Sequence, residues 1–279
     1  MRRFKFFVMV FATCMILTAF CGCENNTTTE KSKVQEEEKT TIKIGSMSSN
    51  SISVDAGIPQ LEKMGYKVEV IVFDDAVLPN IALQEGSIDI NIHQHTPYLE
   101  AYIDNNPGES LSMAKLLYFP NYGLYSTKYN SIDEIPNNAL IGLYSDASNV
   151  DRGLRILETA GLIKLSSEEK DMYSEIDIVE NPKKLQFKLV NFGTGVRAME
   201  DLDACMATGT NIKDSGRDPL DALVLEDREK AKVDFSCGIA AKTSNLESKW
   251  LKDIIKAYTS DESRNYMTEQ FGGASIPIF

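Results

Sequence analysis

From Thr41 onward, short β-branched runs alternate with stretches whose apolar residues recur every three or four positions. Residues 42–45 (IKIG) and 67–73 (KVEVIVF) have the character of strands, with a Ser-rich turn after Gly45 and a helix over 58–63 between them. The pattern continues with a helix over 78–84, a strand over 88–92 and a helix over 97–105 that carries Pro97 in its first turn. Single helices between strands predict crossover units and a mostly parallel sheet. A second series follows: strands at 123–126 and 139–144, a helix over 149–160, a strand at 186–190, a helix over 196–202 and a strand at 204–207. A strand at 233–240 and helices over 249–258 and 261–271 complete the pattern. No internal repeat and no Pro-rich or Gly-rich linker divides the body. Two α/β lobes joined by strands are expected, with a cleft that opens and closes.

Residues 1–22 break this pattern. Arg2, Arg3 and Lys5 lead into an uncharged apolar run from Phe6 to Phe20, too short to span a bilayer and ended by Cys21-Gly22-Cys23. This is a secretory leader, and the Gly-Cys pair predicts lipidation at Cys23. Residues 23–40 hold almost no apolar side chain and predict a flexible tether. The expected organisation is therefore leader 1–22, tether 23–40, lobe one from 41–126 and 237–279, and lobe two from 127–236. Export changes the reading of the cysteines: Cys205 and Cys237, the two that remain in the body, lie in apolar runs and are expected as buried thiols.

The 279 residues carry 29 Lys+Arg against 41 Asp+Glu, a formal charge of −12. Without the leader the balance falls to 26 against 41, or −15. Nucleic acid is not the partner of such a surface. The chain has no GxSxG, CxxC, HExxH or Walker-type motif, so no enzymatic apparatus and no cofactor are expected. Its two histidines, His93 and His95, stand two apart just past a predicted strand end. They can share a metal only with further ligands that the sequence does not indicate, or they can serve as polar groups at the carboxyl rim of a sheet. Arg152 is expected in the first turn of the helix near Asn149, where its fork suits a carboxylate beside free helix N–H groups. Tyr98 and Tyr122 are either core aromatics or flat walls of a site.

Many in-order matches resemble the methionine-binding lipoproteins of the MetQ/NlpA type, the substrate-binding components of ABC importers. They include Val77-Leu78-Pro79-Asn80, Gly86-Ser87-Ile88-Asp89, Gln94-His95-Thr96-Pro97-Tyr98-Leu99, Ser148-Asn149 with Arg152, Leu225-Glu226-Asp227 and Gly272-Gly273-Ala274. The resemblance implies an α/β, two-lobed fold of the periplasmic-binding-protein type (type II), with the ligand between the lobes and no chemistry done on it. It implies ligand contacts at His95, Tyr98, Arg152 and Asn149. Three positions depart from the family pattern: Ala76 where a pocket Tyr is usual, His93 where Phe is usual, and Thr208 in place of an Asn. A larger and more polar pocket is expected. The implied function is a lipid-anchored, monomeric receptor on the extracytoplasmic face of the cell membrane. It captures a zwitterionic amino acid, methionine by family default, or a short peptide, and delivers it to an ABC permease. The alternative is a metal-binding surface lipoprotein using His93 and His95.

Overall fold

A computed structural model describes residues 39–108, 110–192 and 195–279. The leader, Cys23 and the tether up to residue 38 lie outside the described residues. Lys39 and Thr40, expected in the tether, are already fixed to the body: Lys39 Nζ pairs with Asp89 at 2.6 Å and lies over the Trp250 ring, and the Thr40 carbonyl accepts from Lys67 N.

The first lobe opens with β1 (Thr41–Met47), whose Ile42 and Ile44 alternate into the core. The Ser-rich stretch is not a plain turn; it winds into α1 (Ser51–Asp55), with the Ser53 hydroxyl donating to the Asn50 carbonyl. Then come α2 (Ile58–Lys63), β2 (Lys67–Phe73), α3 (Leu78–Glu85), β3 (Ile90–His95), α4 (Thr96–Asn105) and β4 (Leu111–Pro120). The second lobe contains β5 (Tyr122–Tyr125), β6 (Leu140–Tyr144), α5 (Ala147–Thr159), the pair β7 (Lys164–Leu165) and β8 (Ile178–Glu180), and β9 (Gln186–Val190). It continues through α6 (Gly195–Ala198), β10 (Ala204–Thr208), α7 (Gly209–Asp214), β11 (Val224–Leu225) and α8 (Arg228–Phe235). The chain returns to the first lobe as β12 (Cys237–Lys242), α9 (Lys249–Tyr258), α10 (Asp261–Phe271) and β13 (Ser275–Pro277).

The larger sheet has the order β13-β4-β12-β3-β1-β2, and the other has the order β11-β5-β10-β6-β9. In the first, side chains such as Ile90, Ile92 and Ile239 pack with α1, α2, α9 and α10, while Leu83, Leu99 and Tyr102 of α3 and α4 pack with Ala240 in a separate cluster. The second lobe has its own core around Leu124, Ile141, Leu143, Leu154 and Met206. Each lobe thus buries its own apolar surface in a core of its own.

Four expectations change. Both sheets are mixed rather than mostly parallel: β1 pairs in parallel with β2 and β3, and β6 with β9 and β10, but β12 runs antiparallel to β3 and β4, and β5 to β10 and β11. Helical crossovers give parallel pairs only within a lobe; the strands carrying the chain out and back run in opposite senses. Residues 122–126 leave the first lobe's sheet, because the change of sheet falls at Asn121. Residues 233–235 are helical, not strand: Asp227 accepts from Glu229 N, starts α8, and leaves the strand to begin at Cys237. The helix expected over 196–202 is confined to α6.

Strand β4 carries no predicted element. Its sequence LSMAKLLYFP lacks a two-residue alternation and ends in Pro, and its position between β12 and β13 hides both edges. Cys205 and Cys237 are unpaired and buried, and burial pushes both thiols up to about 12. Among the described residues no helix is long and apolar enough to cross a membrane.

Candidate functional site

A cavity of about 400 Å³ lies between the lobes. Its walls come from the carboxyl ends of parallel strands: Met47 at the end of β1, Asp74 to Val77 after β2, Ser145 and Asp146 after β6, Asn191 and Phe192 after β9, Thr208 at the end of β10 and Thr210 in α7 just beyond it. This is where open α/β sheets place ligands, since loops there can vary without disturbing the ladder. All seven residues singled out from the sequence line it: Ala76, His93, His95, Tyr98, Asn149, Arg152 and Thr208.

The histidines belong to β3 itself rather than to the loop after it. In the pairing with β12, Gly238 faces Gln94 and Ile239 faces Ile92, so His93 is the extra residue of a β-bulge. A bulge interrupts the alternation of faces, and here it lets His93, Gln94 and His95 all reach the cavity. Gly238, paired with Gln94 beside the bulge, is required by the strand on its other side: a Cβ there would collide with the Lys115 carbonyl of β4. Below the bulge, the side chains of Asn80, Asn91 and Gln94 form a closed amide network with bonds of 2.6 to 2.9 Å, which ties the start of α3 to β3.

His95 caps α4: its Nδ1 accepts from Tyr98 N at 3.2 Å, so the ring proton sits on Nε2, which faces Asn149 Oδ1 across the cleft at 3.4 Å. The Ala76 carbonyl, which can only accept, fixes the proton of His93 on Nε2 at 3.0 Å. Burial brings both imidazoles down to about 4, and for His95 the Arg152 charge adds to the effect. Both rings are neutral at neutral pH. His93 Nδ1 is buried and has no hydrogen-bond partner.

On the opposite lobe, Asp146, Asn149 and Arg152 follow one another at intervals of three, which stacks them along one side of α5. Asp146 is the N-cap, accepting from Asn149 N at 2.9 Å, from Ser148 Oγ at 2.6 Å and from Asn149 Nδ2 at 2.8 Å. The sequence indicates this cap by an Asp three residues before Asn149, ahead of an apolar stripe.

Arg152 is only 1% exposed, and its fork is not open. Its Nε and Nη2 donate to the two carboxylate oxygens of Glu226 at 2.9 and 2.6 Å, and Nη2 also meets the Pro120 carbonyl. Its guanidinium lies between the rings of Tyr122 and Phe235, 4.4 and 4.5 Å from their centroids. The bidentate edge expected to hold a ligand carboxylate is therefore committed within the protein; Nη1 takes part in none of these bonds. Sequence spacing does not link residue 226 to 152, since the pair forms only when the β11–α8 segment folds back beside α5. Tyr122 is fully buried beneath this guanidinium and lies outside the cavity wall.

The pocket is not simply more polar. Tyr118, Tyr98 and Phe192 supply aromatic surface, with Phe192 packed on Tyr144 at 4.6 Å. Thr208 caps α7 by accepting from Asn211 N and shares a hydrogen bond with Thr210. The Asp74, Asp75 and Asp146 carboxylates also line the cavity, while the Arg152 charge is matched by Glu226, so the lining favours a ligand that brings a cationic group. The thiol of Cys237 faces the same space but is held protonated by burial, which removes it as a nucleophile. Among the described residues no group of three or more His, Cys, Asp or Glu side chains is placed to hold a metal ion.

Comparison with known proteins agrees with this geometry. The family model of the NlpA lipoproteins matches residues 42–279. The D-methionine-binding lipoprotein MetQ of Yersinia pestis is 34% identical over 218 residues, covering 77% of this chain and 79% of that protein. A nutrient binding protein from Burkholderia cenocepacia, solved bound to methionine, superposes with a TM-score of 0.79 at 31% identity, covering 85% of this chain and all of that one. A periplasmic substrate-binding protein of an ABC transporter from Coxiella burnetii superposes equally well, with a TM-score of 0.79 at 28% identity over 85% of this chain and all of that one. The two-lobed, periplasmic-binding-protein-like α/β fold and a non-enzymatic, substrate-binding role follow: the chain belongs to the NlpA lipoprotein family.

Proposed function

We propose that this protein is the solute-binding component of an ABC importer, anchored by lipid at Cys23 on the extracytoplasmic face of the membrane and acting as a monomer. It captures a zwitterionic amino acid or short peptide between its lobes and delivers it to a membrane permease. The single observation that carries this reading is the interlobe cavity, which brings an Arg152 donor, the Asp146 carboxylate and both histidines to one space of amino-acid size. In it, Arg152 Nη1 and the start of α5 attract the ligand carboxylate, Asp146 and its acidic neighbours attract the ammonium, and Tyr98, Tyr118 and Phe192 cover the side chain. The ligands named for relatives make methionine the first candidate. Binding across the cleft favours the closed arrangement in proportion to the contacts made with both lobes.

The test is thermal unfolding of protein stripped of ligand by unfolding and refolding, against L- and D-methionine, the other amino acids, methionine-containing dipeptides and divalent metals. A ligand at 100 times its dissociation constant adds about 2.7 kcal/mol, a rise of several degrees in Tm. A shift with an amino acid or dipeptide and none with metals is the expected outcome; a shift with metals alone overturns the reading.

A further inference from the structure

Among the described residues that line the interlobe cavity, Arg152 is the only Lys or Arg, and its charge is already matched inside the protein. It forms a bidentate pair with Glu226, and the two side chains are 1% and 9% exposed, so water and salt screen the pair little. Arg152 Nη2 also meets the Pro120 carbonyl, and the guanidinium is held between the rings of Tyr122 and Phe235. The histidines add no charge. His95 Nδ1 accepts a hydrogen bond and so carries no proton, and a second proton on His93 would sit on Nδ1, which is buried without a partner. Beside this neutral pair stand the carboxylates of Asp74, Asp75 and the half-buried Asp146. The cavity is thus negative on balance, although the group that faces a ligand carboxylate is an arginine.

We infer that Glu226 determines specificity through Arg152: by cancelling the arginine's charge it makes the cleft turn away carboxylates that bring no amine, so that an amino acid is taken and the hydroxy or oxo acid with the same side chain is not. The inference rests on the amino-acid reading above, names what that site rejects, and holds for methionine as for any other zwitterion. A lone buried arginine would welcome any carboxylate, since the ion pair forms whatever else the ligand carries. With Glu226 in its fork the arginine still donates hydrogen bonds, but a bare carboxylate brings a negative charge that no side chain of the lining offsets. Only the ligand's own ammonium offsets it, and a zwitterion adds no net charge. Glu226 is not part of the cavity wall, so it exerts this effect by its charge and not by contact with the ligand. Discrimination of this kind comes from a repulsive element and not from an added attraction.

The test sets L-methionine beside two analogues that each lack one of its charges: its α-hydroxy acid, an anion, and L-methioninol, a cation. Affinities are measured by titration calorimetry on the stripped protein, with displacement of methionine for weak binders. The wild type is expected to bind the cation at least tenfold more tightly than the anion. In E226Q the Arg152 charge is unmatched, so the anion gains, the cation loses and the order reverses, while methionine changes least. E226D keeps the charge and keeps the wild-type order. A purely structural role for Glu226 weakens all three ligands by a common factor and leaves their order as it was; that result in E226Q overturns the inference. So does a wild-type protein that binds the anion as tightly as the cation, a measurement that needs no variant. If methionine and every other amino acid fail to bind, the amino-acid reading falls and the inference falls with it.

Discussion

The two ends of the interlobe cavity are built in opposite ways. At the Arg152 end almost every polar atom already has a partner: Glu226 holds the guanidinium fork, Asp146 caps α5 and holds Asn149, and two aromatic rings enclose the cation. At the His93 end the strand bulges, and an acceptor is left bare. In the reading proposed above, the first end meets the carboxylate and the ammonium that every amino acid shares, and the second meets the part that differs between amino acids. Preorganisation and selectivity would then be separated along one cavity.

The contrast is broken most severely at Arg152. Arg152→Ala leaves Glu226 as a buried, unpaired charge and costs about 3 to 5 kcal/mol, a fall in Tm on the order of 10 °C in a melting experiment. The double replacement R152M/E226L fills the same space with apolar groups and recovers most of that loss, yet abolishes the amino-acid-induced shift. A double variant that still binds would show that this end does not recognise charge. Next in size is the pH dependence of the opposite lobe. Because burial lowers both imidazoles to about 4 from an ordinary value of 6.5, the unfolded chain binds more protons between those limits, and stability must rise with pH there. It is complete above about pH 6.5 and is lost as pH falls toward 4, with a slope approaching about 1.4 kcal/mol per pH unit for each histidine. Unfolding curves at pH 5, 6 and 7 should show this slope, and H93F should flatten it.

Asn80→Ala opens the amide network under β3 and costs about 1 to 3 kcal/mol. It should also weaken ligand binding, since the Asp74–Val77 loop loses its anchor; an unchanged affinity would mean that the loop is held by other contacts. The smallest effect belongs to a site far from the cavity. Ser260 caps α10 by accepting from Ser263 N at 3.2 Å, so Ser260→Ala should cost about 1 kcal/mol, visible in the melt but absent from the binding isotherm.

Much of this was legible in the sequence, and for local reasons. Strand β2 and helices α2, α9 and α10 fall where the apolar periodicity places them, and each of the helices buries apolar residues within its own lobe. The strand end at His95 and the helix start at Arg152 marked those two as candidates, and the resemblance of the surrounding motifs to the family, not spacing, pointed to His95, Tyr98, Asn149 and Arg152 together. The features that escaped depend on pairing between distant segments. Strand β4 has no alternation of its own, the Glu226 partner lies 74 residues from Arg152, and the bulge exists only as a mismatch in register between β3 and β12. Tyr118 and Phe192 likewise reach the cavity through the ends of β4 and β9, positions that spacing alone does not connect.

The bulge has a consequence for how such a receptor can change its diet. His93 has no partner in the ladder with β12, so the alignment of the strands does not depend on which residue occupies that position. Most cavity residues carry two duties, closing a helix or fixing a loop as well as facing the ligand, and replacing them unsettles the frame. Residue 93 is released from ladder pairing, and its ring is tied to the frame by the bond from Nε2 to the Ala76 carbonyl. It is a position at which inheritance can try new side chains one at a time, altering what the protein gathers while leaving the apparatus that gathers it intact.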